Sequence, residues 1–241
     1  MSLTLLTLLA CAPKAEHDAL VAKVDALEAR LADIEKAPPS ASAKQGPNVQ
    51  DEAKAQELYQ SVLDLIGQNK PDDARKKVDQ LLSSYGTTKT ASRALRIKQE
   101  LEVVGKDVSV ADVEIEEWYV PGSIDLENGT TLLVFWEVWC PHCKREVPEL
   151  QKTWDTYSPQ GLKMVGLTKI TKSATPESVK GFIEDQKVTY PMAKEGGNGS
   201  ASKAFNVSGI PAAAVVKDGK IVWRGHPGRL SPELLEQFLG S

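Results

Sequence analysis

At 241 residues the chain is long enough for one well-buried domain with accessory segments, and its net charge of -4 argues against a nucleic-acid binder, which would carry a basic face. An apolar fraction of 41% with ordinary use of glycine and proline excludes wholesale disorder. The three cysteines, Cys11 alone and Cys140 with Cys143, cannot build a disulfide framework, so they read as reactive, metal-binding or modified thiols. Metal is disfavoured, because one CxxC offers half of a usual ligand set and His17, His142 and His226 show no ligand spacing around it. No metal and no cofactor are therefore expected.

In chain order, the run from Ser2 to Ala10 is apolar but too short to span a bilayer, which suits the hydrophobic stretch of a secretion signal. The sequence Leu8-Leu9-Ala10-Cys11 resembles a bacterial lipoprotein signal over residues 1–11. That resemblance implies a lipid on Cys11 and a place in the bacterial cell envelope or periplasm, anchored to a membrane. The alternative is a plain N-terminus with an incidental cysteine.

Residues 12–36 are expected to form a coiled-coil helix. Leu20, Leu27 and Ile34 repeat at one core position and Val24 and Leu31 at the other, while Lys23 and Arg30 complement Glu28 and Glu35 across a parallel seam. This pattern predicts a homo-oligomer through residues 17–36, dimer or trimer, since Val21 widens the seam; a single amphipathic helix is the competing reading. Residues 37–50, rich in Pro, Ser, Ala and Gly, read as a linker. Residues 51–105 read as a small all-α module of three helices, with stripes through Leu58, Val62 and Leu65 or Ile66, then Ala74, Val78, Leu81 and Leu82 after Pro71, then Leu95 and Leu101. A partner-binding module and a structural stalk are both compatible with it.

The chemistry lies in residues 112–241. The unbroken apolar run from Leu132 to Trp136 suits a central strand covered on both faces. A helix is expected from Pro141, which tolerates the first turn, with an apolar stripe through Val147, Leu150, Trp154 and Tyr157 that extends backwards to Cys143 and Cys140. Cys143 thus falls on the buried face. Cys140 falls at the helix start, exposed, where unpaired N–H groups favour a thiolate. Thiol–disulfide exchange needs that asymmetry: Cys140 attacks and Cys143 resolves the mixed disulfide. Leu162 to Leu167 reads as a parallel neighbour strand followed by a helix from Thr175 with Val179, Phe182 and Ile183 on one face, an α/β signature.

From about Val113 onwards the sequence resembles the thioredoxin superfamily. Within it the Pro141-His142 dipeptide is similar to that of strongly oxidising members, while the resemblance itself rests on Phe135-Trp136 before the motif, Trp139 before the first cysteine, Pro148 five residues after the second cysteine, and Gly209-Ile210-Pro211. The last is similar to the family's cis-proline loop, although an isolated X-Pro turn is usually trans. The anchored extracytoplasmic set similar to TlpA and ResA is nearest in appearance. The resemblance implies an α/β thioredoxin fold, catalysis by Cys140 and Cys143, support from Trp139, Pro141, His142, Glu137, Ile210 and Pro211, and protein thiols or disulfides with a redox partner protein as partners. The sequence departs from the pattern at Val134, where thioredoxins bury an acidic residue. Glu137 is the nearby carboxylate, either a proton relay to Cys143 or a solvated strand-end residue, and Lys169 resembles a lysine placed near the site in some thioredoxins. The function so implied is a thiol–disulfide oxidoreductase acting as a reductase. The alternatives are an oligomeric isomerase or oxidase, and a redox-inert binding or chaperone protein.

Overall fold

The computed structural model describes residue 18 and residues 21–28 and 48–240. The lipoprotein-type segment with Cys11, most of the heptad stretch and most of the linker lie outside the described residues. Residues 21–28 are helical, with Val21, Val24 and Leu27 exposed. Among the described residues no helix is long and apolar enough to cross a membrane.

Residues 48–240 lie in one compact unit, which begins with three helices, α1 (Val49–Gly67), α2 (Pro71–Tyr85) and α3 (Lys89–Leu101). Their starts are set by local chemistry. The Asn48 side chain accepts from the Gln50 N–H at the head of α1, and Pro71 occupies the first turn of α2, where its missing N–H is harmless. Thr88 caps α3 by accepting from Ala91 N–H at 3.1 Å. The Glu52 carboxylate of α1 reaches across to the same end of α3, accepting from the N–H groups of Lys89 and Thr90 at 2.8 and 3.0 Å.

The buried stripe of α3 runs through Ala91, Ala94, Ile97 and Leu101. Leu95, read from the sequence as part of that stripe, is 52% exposed. Stepping back from Leu101 by four and then by threes passes it by. Val62, Ile66, Ala74, Val78, Ile97 and Leu101 share one buried cluster with Leu132, Val134 and Cys143 of the region that follows. The helices and the sheet therefore have a common core.

Six strands follow: β1 (Ile115–Val120), β2 (Thr130–Trp136), β3 (Lys163–Thr168), β4 (Met192–Glu195), β5 (Ala212–Lys217) and β6 (Lys220–Gly225), in the order β1-β4-β3-β2-β5-β6. β2 is central and wholly buried, parallel to β3 and antiparallel to β5. Its alternation divides the core, because Leu132, Val134 and Trp136 enter one cluster while Leu133 and Phe135 enter the other. Helices α4 (Pro141–Tyr157), α5 (Pro176–Asp185) and α7 (Pro232–Gly240) pack on the first face, and α6 (Ser200–Ala204) on the second. This mixed α/β arrangement is the thioredoxin-like fold expected of the C-terminal part.

Candidate active site

The apolar β2 runs straight into the cysteine motif. Backbone N–H of Cys140 donates to the carbonyl of Glu137 at 3.1 Å, closing a turn, and the carbonyl of Cys140 accepts the first helical bond of α4 from Lys144, also at 3.1 Å. Cys140 is the N-cap residue and Pro141 the first helical residue, with His142 beside it on the exposed side. Pro148 lies inside α4, where it cannot donate to the carbonyl of Lys144. Cys143, Val147 and Leu150 form the buried stripe as expected, with Trp154 only half-buried.

Both cysteines are free thiols. Their burial differs less than the sequence suggested. Cys143 is fully buried and Cys140 is 4% exposed, not an open surface thiol, because the loop before β5 lies over it. The peptide bond Ile210–Pro211 is cis, and the Cys140 thiol points at the Ile210 carbonyl oxygen 3.8 Å away. The environments still differ in kind. Burial pushes the Cys143 thiol well above the ordinary thiol range, and the neighbouring Cys140 adds to that effect while a backbone hydrogen bond with Glu137 opposes it.

Val134 is fully buried beneath the pair, within the cluster that holds both cysteines. The Glu137 carboxylate is not freely solvated, and its own hydrogen bonds go to residues other than Cys143. Its Oε2 accepts from the Trp139 indole N–H at 2.6 Å and from the Thr171 hydroxyl. The Trp139 ring in turn carries the Lys172 ammonium 3.1 Å from its centroid, a cation–π contact. Next to Trp139 and Ile210 lies a cavity of about 340 Å³ that also reaches Lys169 and Glu195. The Glu195 carboxylate, 1% exposed, stands 3.6 Å from the Lys169 ammonium and accepts from the Ser202 hydroxyl at 2.7 Å.

The structure thus gathers Cys140, Cys143, Trp139, Pro141, His142, Glu137, Ile210 and Pro211 at one end of β2, and places Lys169 at the edge of the same region. Cys11 is outside the described residues. Sequence reasoning passed over Thr171 and Glu195. Lys169 was the available signal, since a lysine entering a half-buried site calls for a carboxylate.

Residues 104–224 match the AhpC/TSA family. Sporulation thiol-disulfide oxidoreductase A of Bacillus subtilis (strain 168) is 26% identical over 116 residues, covering 48% of this chain and 70% of that protein. Thiol-disulfide oxidoreductase ResA of Bacillus thuringiensis subsp. konkukian (strain 97-27) is 27% identical over 146 residues, covering 59% of this chain and 80% of that protein. Among solved structures, the crystal structure of StoA from Bacillus subtilis aligns at 26% identity with a TM-score of 0.40, over 46% of this chain and 83% of that one.

Proposed function

The chain belongs to the AhpC/TSA family, and from that premise we propose that it is a thiol–disulfide oxidoreductase that reduces protein disulfides through Cys140 and Cys143. The observation that carries this reading is the asymmetry of the pair. Cys140 caps a helix and faces the Ile210 carbonyl, while Cys143 lies beneath it with its thiol held protonated by burial.

In the proposed cycle the Cys140 thiolate attacks one sulfur of a substrate disulfide, forming the mixed disulfide and releasing the other substrate sulfur as a thiolate. Cys143, on losing its proton, then attacks Cys140 Sγ. The Cys140–Cys143 disulfide forms, the mixed disulfide breaks, and the second substrate thiol leaves. Two electrons pass to the substrate, and a redox partner protein returns them by the same exchange in reverse. The helix start stabilises the sulfur anion at Cys140 in both states where it is the leaving or attacking group. Trp139, Ile210 and Pro211 supply the wall along which the substrate chain lies, and His142 tunes the helix start. Glu137, oriented by Trp139 and Thr171, is the nearest carboxylate for the Cys143 proton.

The setting proposed for this activity is the bacterial envelope outside the cytoplasm, with a lipid on Cys11 as anchor and the heptad stretch of residues 17–36 as the oligomerising element. The relatives named thiol-disulfide oxidoreductases support the activity, and the N-terminal sequence supports the setting. Insulin reduction measured beside reactivation of scrambled ribonuclease tests the function. Reduction without reactivation is the expected result. Reactivation would favour an isomerase, and neither activity would overturn the proposal.

A further inference from the structure

On the far side of the Ile210–Pro211 loop from Trp139, a second cavity of about 360 Å³ opens between α1, α3 and the sheet. Its charged and titratable lining is Tyr59, Arg93, Arg96, Glu100, Arg224, His226 and Arg229. In a chain of net charge -4, this hollow collects four guanidinium groups against one carboxylate.

The arrangement is built from three parts of the fold. Arg93, Arg96, Ile97 and Glu100 recur at the three- and four-residue spacing that puts them on one face of α3. Arg224 comes from β6 and Arg229 from the turn that follows. The four cations are not equally engaged. Arg229 pairs with Glu100 at 2.5 Å, yet its buried Nε has no hydrogen-bond partner among the described residues. Arg224 is buried and donates to the carbonyls of Phe205 at 2.9 Å and Gly225 at 3.1 Å, with no carboxylate bonded to it among the described residues. Burial pulls its pKa down to about 10, with Glu100 opposing and Arg229 adding, so it remains a cation at neutral pH. Arg93 lies over the Tyr59 ring and donates to Thr90 at 2.8 Å and to the Gln56 side-chain oxygen. Arg96 is exposed and makes no hydrogen bond or ion pair among the described residues.

A buried cation bonded only to carbonyls and an exposed one left unpaired call for an anion between them. Ile210 and Pro211 line the same cavity, and the Ile210 carbonyl is 3.8 Å from Cys140 Sγ. The hollow is therefore a residue or two of extended chain from the reacting sulfur, at roughly 3.3 Å per residue. We infer that it is a specificity subsite for an acidic side chain, which receives the carboxylate of an Asp or Glu flanking the reactive cysteine of the substrate peptide. This inference rests on the exchange activity proposed above. Arg96 and Arg93 meet the carboxylate at the mouth, and Arg224 and Arg229 supply the positive field behind them.

The test uses the full chain and disulfide-linked peptides that differ only in whether Glu, Gln or Lys flanks the cysteine. At low salt the Glu peptide should exceed the Gln peptide in kcat/KM by about tenfold, the range of a charged hydrogen bond, and the Lys peptide should be slowest. The Glu-to-Gln ratio should fall toward one in Arg96→Gln, fall further when Arg93→Gln is added, and stay unchanged in Lys54→Gln, a surface charge removed elsewhere. Equal rates for Glu and Gln peptides in the unmodified protein, or a ratio that survives the double substitution, would overturn the subsite while leaving the exchange activity intact. Failure to reduce any of the peptides would overturn the exchange reading and the subsite with it.

Discussion

The thiol of Cys140 and the carbonyl oxygen of Ile210 stand 3.8 Å apart, joining the start of α4 to the loop before β5. That contact covers the Cys140 sulfur on one side, while Cys143 is fully buried. The difference in reactivity proposed for the two thiols then rests less on exposure than on the raised Cys143 thiol and on position.

Cys140 should accordingly alkylate ahead of Cys143 at neutral pH, because burial raises the Cys143 thiol and only the thiolate reacts. Cys143→Ser should attack a substrate once and remain linked to it, and Cys140→Ser should lose exchange altogether. Mass spectrometry after brief alkylation, with non-reducing gels of the variants, measures both. Faster labelling of Cys143 would reverse the assigned roles.

The common core of helices and sheet has a thermodynamic signature. Leu101 at the end of α3 is buried in the cluster that holds Leu132 and Val134, so Leu101→Ala should cost about 2–5 kcal/mol. All five tryptophans lie between residues 118 and 223, beyond the three helices. Tryptophan fluorescence and far-UV circular dichroism should nevertheless shift together in urea, as one cooperative unit requires. A change seen by dichroism alone would show that α1 to α3 unfold separately.

Asp125 offers a pH test in the turn before β2. The Lys163 ammonium, 2.5 Å from its carboxylate, is the main cause of a pKa lowered to about 2, with Asn128 and the Glu127 backbone adding to it. The folded value lies below the unfolded one, so the ionised carboxylate stabilises the fold above about pH 4, and that contribution is lost as pH falls through about 2. Asp125→Asn should lower Tm at pH 7, and the gap to the unmodified protein should close toward pH 2. A gap that persists in acid would assign the effect to the side chain's shape instead of its charge.

His142 bears on the direction of electron flow. Its Nδ1 lies 2.6 Å from the Arg145 guanidinium, which can only donate, so this nitrogen accepts. By resemblance to the thioredoxin superfamily alone, the Pro141-His142 dipeptide is expected to favour an oxidising site and Ile210 before Pro211 a reducing one. A potential between about -270 and -120 mV, the span known for this fold, is expected. His142→Pro should shift it toward more reducing values, as equilibration with glutathione would measure. A potential at the thioredoxin end, unmoved by the substitution, would remove His142 from the tuning of the site.

The features that the sequence displayed were local ones. Cys140, Pro141, Cys143 and Pro148 carry their geometry in a short stretch between a buried strand and an amphipathic helix, and the Ile210–Pro211 loop was recognisable beside them. Features that depend on two distant segments meeting were hidden. Glu195 looks like an ordinary strand-end glutamate until Lys169 and Ser202 are brought to it, and Glu137 shows its hydrogen-bond partner Thr171 only once the fold brings that distant segment near. Leu95 misled because a leucine on a short helix fits more than one stripe, and only the packing of Ile97 and Leu101 selects among them. The arginines around Arg224 were scattered over α3, β6 and the turn after it, so their convergence could not be read from spacing.

The loop containing Ser208, Gly209 and Ile210 borders both cavities, and so forms a ridge between two hollows of unlike chemistry. On one side lies a paired lysine and glutamate beside Trp139, on the other the arginine-rich hollow. A peptide laid over such a ridge would place the residues before its cysteine above one hollow and those after it above the other. Recognition of this kind has a reading direction. The same flanking residues in reversed order would make a different substrate, even with composition, charge and redox potential unchanged.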